Sequence, residues 1–244
     1  MQKSESFYVI KFVICATVIT CIAFALAFAL SRAVEKRATS AVSSPSYCGR
    51  VIVIDAGHGG EDGGAVASDG TLEKDLNFEV ARLIKALCDL NGTQAIMTRE
   101  DDSLLYDRYG DLESYTGHKK EYDLKNRVRI ASELENPVFI SIHMNKFNQE
   151  KYSGVQIYYS KNNPASQMLA RSIQNMTRQY LQPTNKRAIK QADSSIFVLD
   201  KLECPSVLIE CGFLSNQNEL ELLKTSEHQS GLALTIFLSV ISVS

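Results

Sequence analysis

Short runs rich in β-branched residues alternate along this chain with stretches that repeat at the helical period, and no other feature restricts the fold as much. Val51–Asp55, Gln94–Thr98, Val138–Ile142, Val155–Tyr159, Ser195–Leu199 and Ser206–Ile209 read as six short strands. Between them, Leu76, Val80, Leu83, Ile84 and Leu87 recur as one face of an amphipathic helix, and Leu124, Val128, Ala131 and Leu134 repeat the pattern. Asn163-Pro164 has the form of an N-cap followed by proline in the first turn, opening a helix with the apolar stripe Met168, Leu169, Ile173, Met176 and Tyr180. A last helix spans Gly231–Val240. Strands and helices in alternation, joined by short gaps, predict a single α/β domain with a mostly parallel, twisted, six-stranded sheet and helices on both faces. The polar, aperiodic stretch Glu100–Asp123 reads as a long loop, either functional or a disordered surface insertion.

Ahead of this domain lies a segment of another kind. From Phe12 to Leu30 there are 19 residues without a charge, close to the length that crosses a hydrocarbon core of about 30 Å. Residues 1–31 therefore read as a membrane anchor or export signal. Their uninterrupted length favours the anchor, and Ala27-Phe28-Ala29 offers a small-x-small cleavage site for the signal. Residues 32–50, rich in Ser, Ala and charge, read as a linker, and residues 51–244 as the catalytic domain. The expected location is outside the cytosol, anchored on the outer face of the membrane or released from it. A formal net charge of -2, with no concentration of Lys and Arg among aromatics, argues against a nucleic-acid partner. The six cysteines form no CxxC pair, and those outside the apolar segment read as small buried hydrophobes. His118 and His228, in a polar loop and at a helix start, read as surface residues.

Three of the apolar strands run into a group able to bind a metal or move a proton: His58 after Val51–Gly57, His143 after Phe139–Ile142, and Glu210 after Val207–Ile209. In an open parallel sheet, ligands bind beyond the carboxyl ends of strands, so these side chains are expected to converge. Each alone has a plainer explanation. A histidine after a strand is commonly a hydrogen-bonded loop residue, and Glu73 at a helix start complements the helix dipole. Glu210 is the hardest to explain away, since a buried carboxylate without a partner is costly. Together, His58, Glu73 and His143 make the two-imidazole, one-carboxylate set that holds zinc with a position left open, and Glu210 beside them suits proton transfer. The turn Gly57–Gly64 does not carry a phosphate-binding fingerprint: Asp62 stands at the third glycine position, and no Gly-Lys-Ser/Thr follows.

The stretches Ile54-Asp55-Ala56-Gly57-His58-Gly59-Gly60, Glu73-Lys74-Asp75-Leu76-Asn77, Met97-Thr98-Arg99, Ser141-Ile142-His143-Met144-Asn145 and Glu210-Cys211-Gly212-Phe213 resemble, in order, the motifs of zinc-dependent N-acetylmuramoyl-L-alanine amidases. The resemblance runs from about Val51 to the C-terminus. It implies Zn²⁺ held by His58, Glu73 and His143, a catalytic Glu210, and hydrolysis of the amide between N-acetylmuramic acid and L-alanine in peptidoglycan. A single domain behind an apolar segment, with Thr184-Asn185-Lys186-Arg187 before the fifth strand, is most similar to spore-cortex members, and implies a lipoprotein or other spore-envelope partner. Met144 departs from the smaller residue common there. A non-catalytic wall-binding protein of the same fold, and a zinc hydrolase of another amide or ester, are the competing readings.

Overall fold

The computed structural model describes residues 50–110 and 117–243. The apolar segment, nearly all of the linker, and Cys15, Cys21 and Cys48 lie outside the described residues. Among those described, Cys88, Cys204 and Cys211 are free, and no helix is long and apolar enough to cross a membrane.

The elements follow in the order β1 (Val51–Ala56), α1 (Glu73–Leu90), β2 (Ala95–Met97), α2 (Lys119–Ser132), β3 (Pro137–Asn145), β4 (Gln156–Tyr159), α3 (Pro164–Tyr180), β5 (Lys190–Gln191), α4 (Phe197–Lys201), β6 (Ser206–Phe213), α5 (Gln217–Leu223) and α6 (Ser226–Ser242). The six strands form one sheet in the order β2-β1-β3-β6-β4-β5. β1 lies parallel to β2 and β3, β3 parallel to β6, and β5 parallel to β4, while β4 runs antiparallel to β6. This is the mostly parallel α/β sheet that the alternation predicts.

Both faces are covered, which explains why the central strands are apolar at nearly every position. Ile52, Ile54, Val138, Ile140, Ile142, Val207 and Ile209 pack against α1, α3 and α6. Val53, Phe139 and Leu208 point the other way, onto Ile130 and Ala131 of α2 and Val198 and Leu199 of α4. Toward the carboxyl ends of the strands this second face turns polar, with Asp55 opposite Ser141 and His143 opposite Glu210.

Four expectations need correction. Ser195–Leu199 is not a strand: Asp193 caps a turn by accepting from Ser195 N, and Val198 and Leu199 are buried from the helix α4. A four-residue apolar run carries no period that separates the two states. The fifth strand is instead the exposed pair Lys190–Gln191. The stripe expected on α3 is half wrong, because Met168 and Tyr180 are 61% and 63% exposed. Leu169 and Ile173 are buried together with the small or polar Ser166, Ala170, Gln174 and Thr177, which let α3 approach its neighbours closely. The Glu100–Asp123 stretch is anchored in its described part: Asp123 accepts from Leu105 N, Asn126 donates to Leu105 O, and α2 begins within it at Lys119. His228 is half-buried, whereas His118 is exposed as expected.

A candidate metal centre at the carboxyl end of the sheet

β1 delivers the chain into the glycine turn, where His58 takes a left-handed backbone with φ 62°. That conformation costs a β-carbon-bearing residue about 1–3 kcal/mol unless its surroundings impose it. Here they do. The guanidinium of Arg127 donates to His58 O at 2.8 Å and to Ala56 O at 2.9 Å, and Arg99 donates to Ala56 O at 3.0 Å. Glu73 is the first residue of α1, brought over the turn by a hydrogen bond from its own N–H to Ala65 O. His143 stands on β3, opposite Glu210 on β6.

The three side chains read as metal ligands come together: one donor atom from each of His58, Glu73 and His143 lies within 4.8 Å of the others. Glu73 Oε1 is 3.3 Å from His58 Nε2 and 2.9 Å from His143 Nδ1. Its other oxygen, Oε2, accepts from Ala65 N. The far nitrogen of His58, Nδ1, is 2.9 Å from Asp62 Oδ2, the carboxylate partner that commonly orients a metal-binding imidazole. Two glycines make the space. A β-carbon at Gly57 would lie 2.3 Å from His143 Nε2, and one at Gly64 would lie 2.6 Å from Glu73 Oε2.

The electrostatics fit a site built around positive charge. Burial alone would lower the His58 pKa, but hydrogen bonds to Asp62 and Glu73 outweigh it and hold the imidazolium up to about 9. Burial would raise Glu73, and the two imidazoles overcome it, keeping the group well below the ordinary glutamate range. Glu210 goes the other way: burial pushes it up to about 7, against the pull of His143. Its Oε2 is inaccessible and has no hydrogen-bond partner. Two imidazoles and a carboxylate able to share one cation, with a separate unpaired carboxyl on the adjoining strand, can activate a water and relay its proton.

Sequence reasoning missed what supports the ligands. Arg127 is fully buried, 2.6 Å from Asp55 Oδ1 and 2.8 Å from Asp123 Oδ2. Asp55 also accepts from Thr98 and Ser141. Burial would raise the Asp55 pKa, yet Arg127 and these hydroxyls hold it below the ordinary aspartate value. Asn77 reaches Gly57 O from α1. An Asp and an Arg four residues apart on a helix ordinarily signal an exposed ion pair, so the spacing of Asp123 and Arg127 held no warning that both are buried.

Residues 52–242 match the N-acetylmuramoyl-L-alanine amidase family. Among curated relatives, the germination-specific N-acetylmuramoyl-L-alanine amidase of Bacillus subtilis (strain 168) is 35% identical over 193 residues, covering 79% of this chain and 79% of that one. Among solved structures, the CwlD amidase of Clostridioides difficile, in complex with the GerS lipoprotein, is 39% identical with a TM-score of 0.72, covering 79% of this chain and 97% of that one. The AmiC2 amidase of Nostoc punctiforme is 28% identical with a TM-score of 0.65, over 79% of this chain and 95% of that one. With the match extending across the whole sheet and the turns that carry His58 and Glu73, the chain belongs to the N-acetylmuramoyl-L-alanine amidase family.

Proposed function

We propose that the chain hydrolyses the bond between the lactyl carboxyl of N-acetylmuramic acid and L-alanine with Zn²⁺ held by His58, Glu73 and His143, and with Glu210 as the proton-transfer group. The observation that carries this is the convergence of three donor atoms within 4.8 Å beside an unpaired Glu210 carboxyl. The glycine cradle agrees, because the space a side chain would fill is kept clear against two of the three ligands. A zinc ion held there supplies Lewis acidity, and the borderline N/O donor set suits it. Asp62 fixes the tautomer and direction of His58. Glu210 would take a proton from the attacking water and return it to the leaving amine, a cycle suited to a buried carboxyl on the strand beside His143.

The setting proposed is the spore cortex. The support is the likeness to a germination-specific amidase and to an amidase solved with a lipoprotein, a pairing that makes an envelope lipoprotein the partner to seek. Residues 1–31 carry the 51–244 domain out of the cytosol as signal or anchor, with 32–50 as the linker.

The test is digestion of purified peptidoglycan by the full chain. Soluble stem peptides appear with no new reducing sugar ends, a chelator abolishes the release, and Zn²⁺ restores it. Glu210→Gln retains bound zinc by elemental analysis and loses roughly 10²- to 10⁴-fold in rate. Undiminished digestion by Glu210→Gln removes the role assigned to it.

A further inference from the structure

At the same end of the sheet as the metal-ligand cluster, the segments around Gly154 and Arg187 enclose an open cleft of about 640 Å³. Lys151, Lys186 and Arg187 line it, with Glu219 as the only acid among the lining residues. Both oxygens of Glu219 are already committed, accepting from Gly154 N at 2.7 Å and Phe213 N at 2.9 Å. Among the described residues, none of the three cations lies within ion-pair distance of a carboxylate. Arg187 donates through Nε to Ser153 O and lies 4.4 Å over the Phe213 ring, and among the described residues the terminal nitrogens of its fork make no hydrogen bond. Three cations against one acid, in a cleft of a chain whose formal net charge is -2, form a local reversal of sign.

Strand register locates the cleft relative to the chemistry. Glu210 on β6 pairs with Gln156 on β4, and the Gln156 side chain donates through Nε2 to Ala188 O at 2.6 Å. Adjacent strands are about 4.8 Å apart, and with Tyr158 on β4 paired to Lys190 on β5 the stretch just before β5 that carries Arg187 stands roughly 10 Å from Glu210. That is the span of about three extended residues.

We infer that this cleft binds the carboxylates of the stem peptide on the leaving-amine side of the scissile bond. The inference rests on the amidase reading above and adds to it a preference for free-acid over amidated stems. Arg187 offers a planar fork to a carboxylate, whereas Lys151 and Lys186 act as point charges around it. The aromatic wall of Tyr152 and Phe213 backs the arginine, lying 6.2 Å apart between ring centres.

Calorimetric titration of the full chain with a synthetic stem tripeptide, in free-acid and fully amidated forms, tests this without turnover. Free acid is expected to bind five- to tenfold more tightly, about the size of one net hydrogen bond screened by solvent, and to weaken as salt rises. In Lys151→Gln/Lys186→Gln, which removes two charges with no hydrogen bond of their own, the preference shrinks by at least half. Arg187→Lys, which keeps the charge and loses the fork, provides a second variant. Equal affinity of wild type for the two peptides overturns the proposal, as does an unchanged preference in both variants. An unchanged preference together with lost capture of an envelope protein would give the cleft to a partner instead. Because binding is read directly, a chain that digests no peptidoglycan still reports on the cleft, and the two failures stay distinct.

Discussion

Arg127 is the residue on which the geometry of the candidate metal centre leans most. It holds His58 O and Ala56 O while paired with two buried acids, so it joins the left-handed turn at His58 to the body of the sheet. Removing it leaves Asp55 and Asp123 as buried charges without their cation. Arg127→Met is therefore expected to cost about 3–5 kcal/mol, read from the urea denaturation midpoint. Arg127→Lys keeps a charge but not the fork, and is expected to weaken zinc in a chelator-competition titration more than it lowers stability. Arg129→Met, two residues along the same helix at the exposed pair with Glu133, should move stability by less than about 1 kcal/mol. An Arg127→Lys chain with wild-type zinc affinity would show that His58 does not need this support.

Among the elements, α3 shows how a helix boundary and a helix face can differ in what the sequence reveals. Its start was readable because the signal is local: Asn163 accepts from Ala165 N at 3.0 Å, and Pro164 follows in the first turn. Asn163→Ala should lower stability by about 1 kcal/mol and leave the zinc content unaltered, as thermal unfolding and elemental analysis would show. Its buried face was misread, since which side turns inward depends on α6, a partner that begins 46 residues after α3 ends. α4 was misread for a similar reason. Ile196–Leu199 fits a strand or a helix equally well, and only the slot between α2 and β6 selects the helix.

For the whole molecule, the polar layer on the second sheet face sets a response to acid. Asp55 has a folded-state pKa below its ordinary value, so its contribution to stability is complete above about pH 4, the unfolded-chain value. It is lost as the pH falls further toward the depressed folded value, when the proton displaces Arg127 and the Ser141 and Thr98 hydroxyls. Urea midpoints taken from pH 5 downward should fall at up to about 1.4 kcal/mol per pH unit from this group. In Asp55→Asn the fall should be shallower, and a slope unaltered by that change would place the acid sensitivity elsewhere.

Composition and spacing predict the alternating architecture and a convergence of His58, Glu73, His143 and Glu210 at the carboxyl ends of the strands, while the roles proposed for those four residues rest on the family resemblance as well. Each of these is carried by a local pattern: a period, a cap, or a polar group that interrupts an apolar run. Tertiary structure alone decided the buried Asp55–Arg127–Asp123 network, the switch of Ser195–Leu199 to helix, and the cationic cleft between segments some 30 residues apart. Those depend on desolvation and on contacts between distant stretches, and a side chain's cost or value when buried is not written in its neighbours along the chain.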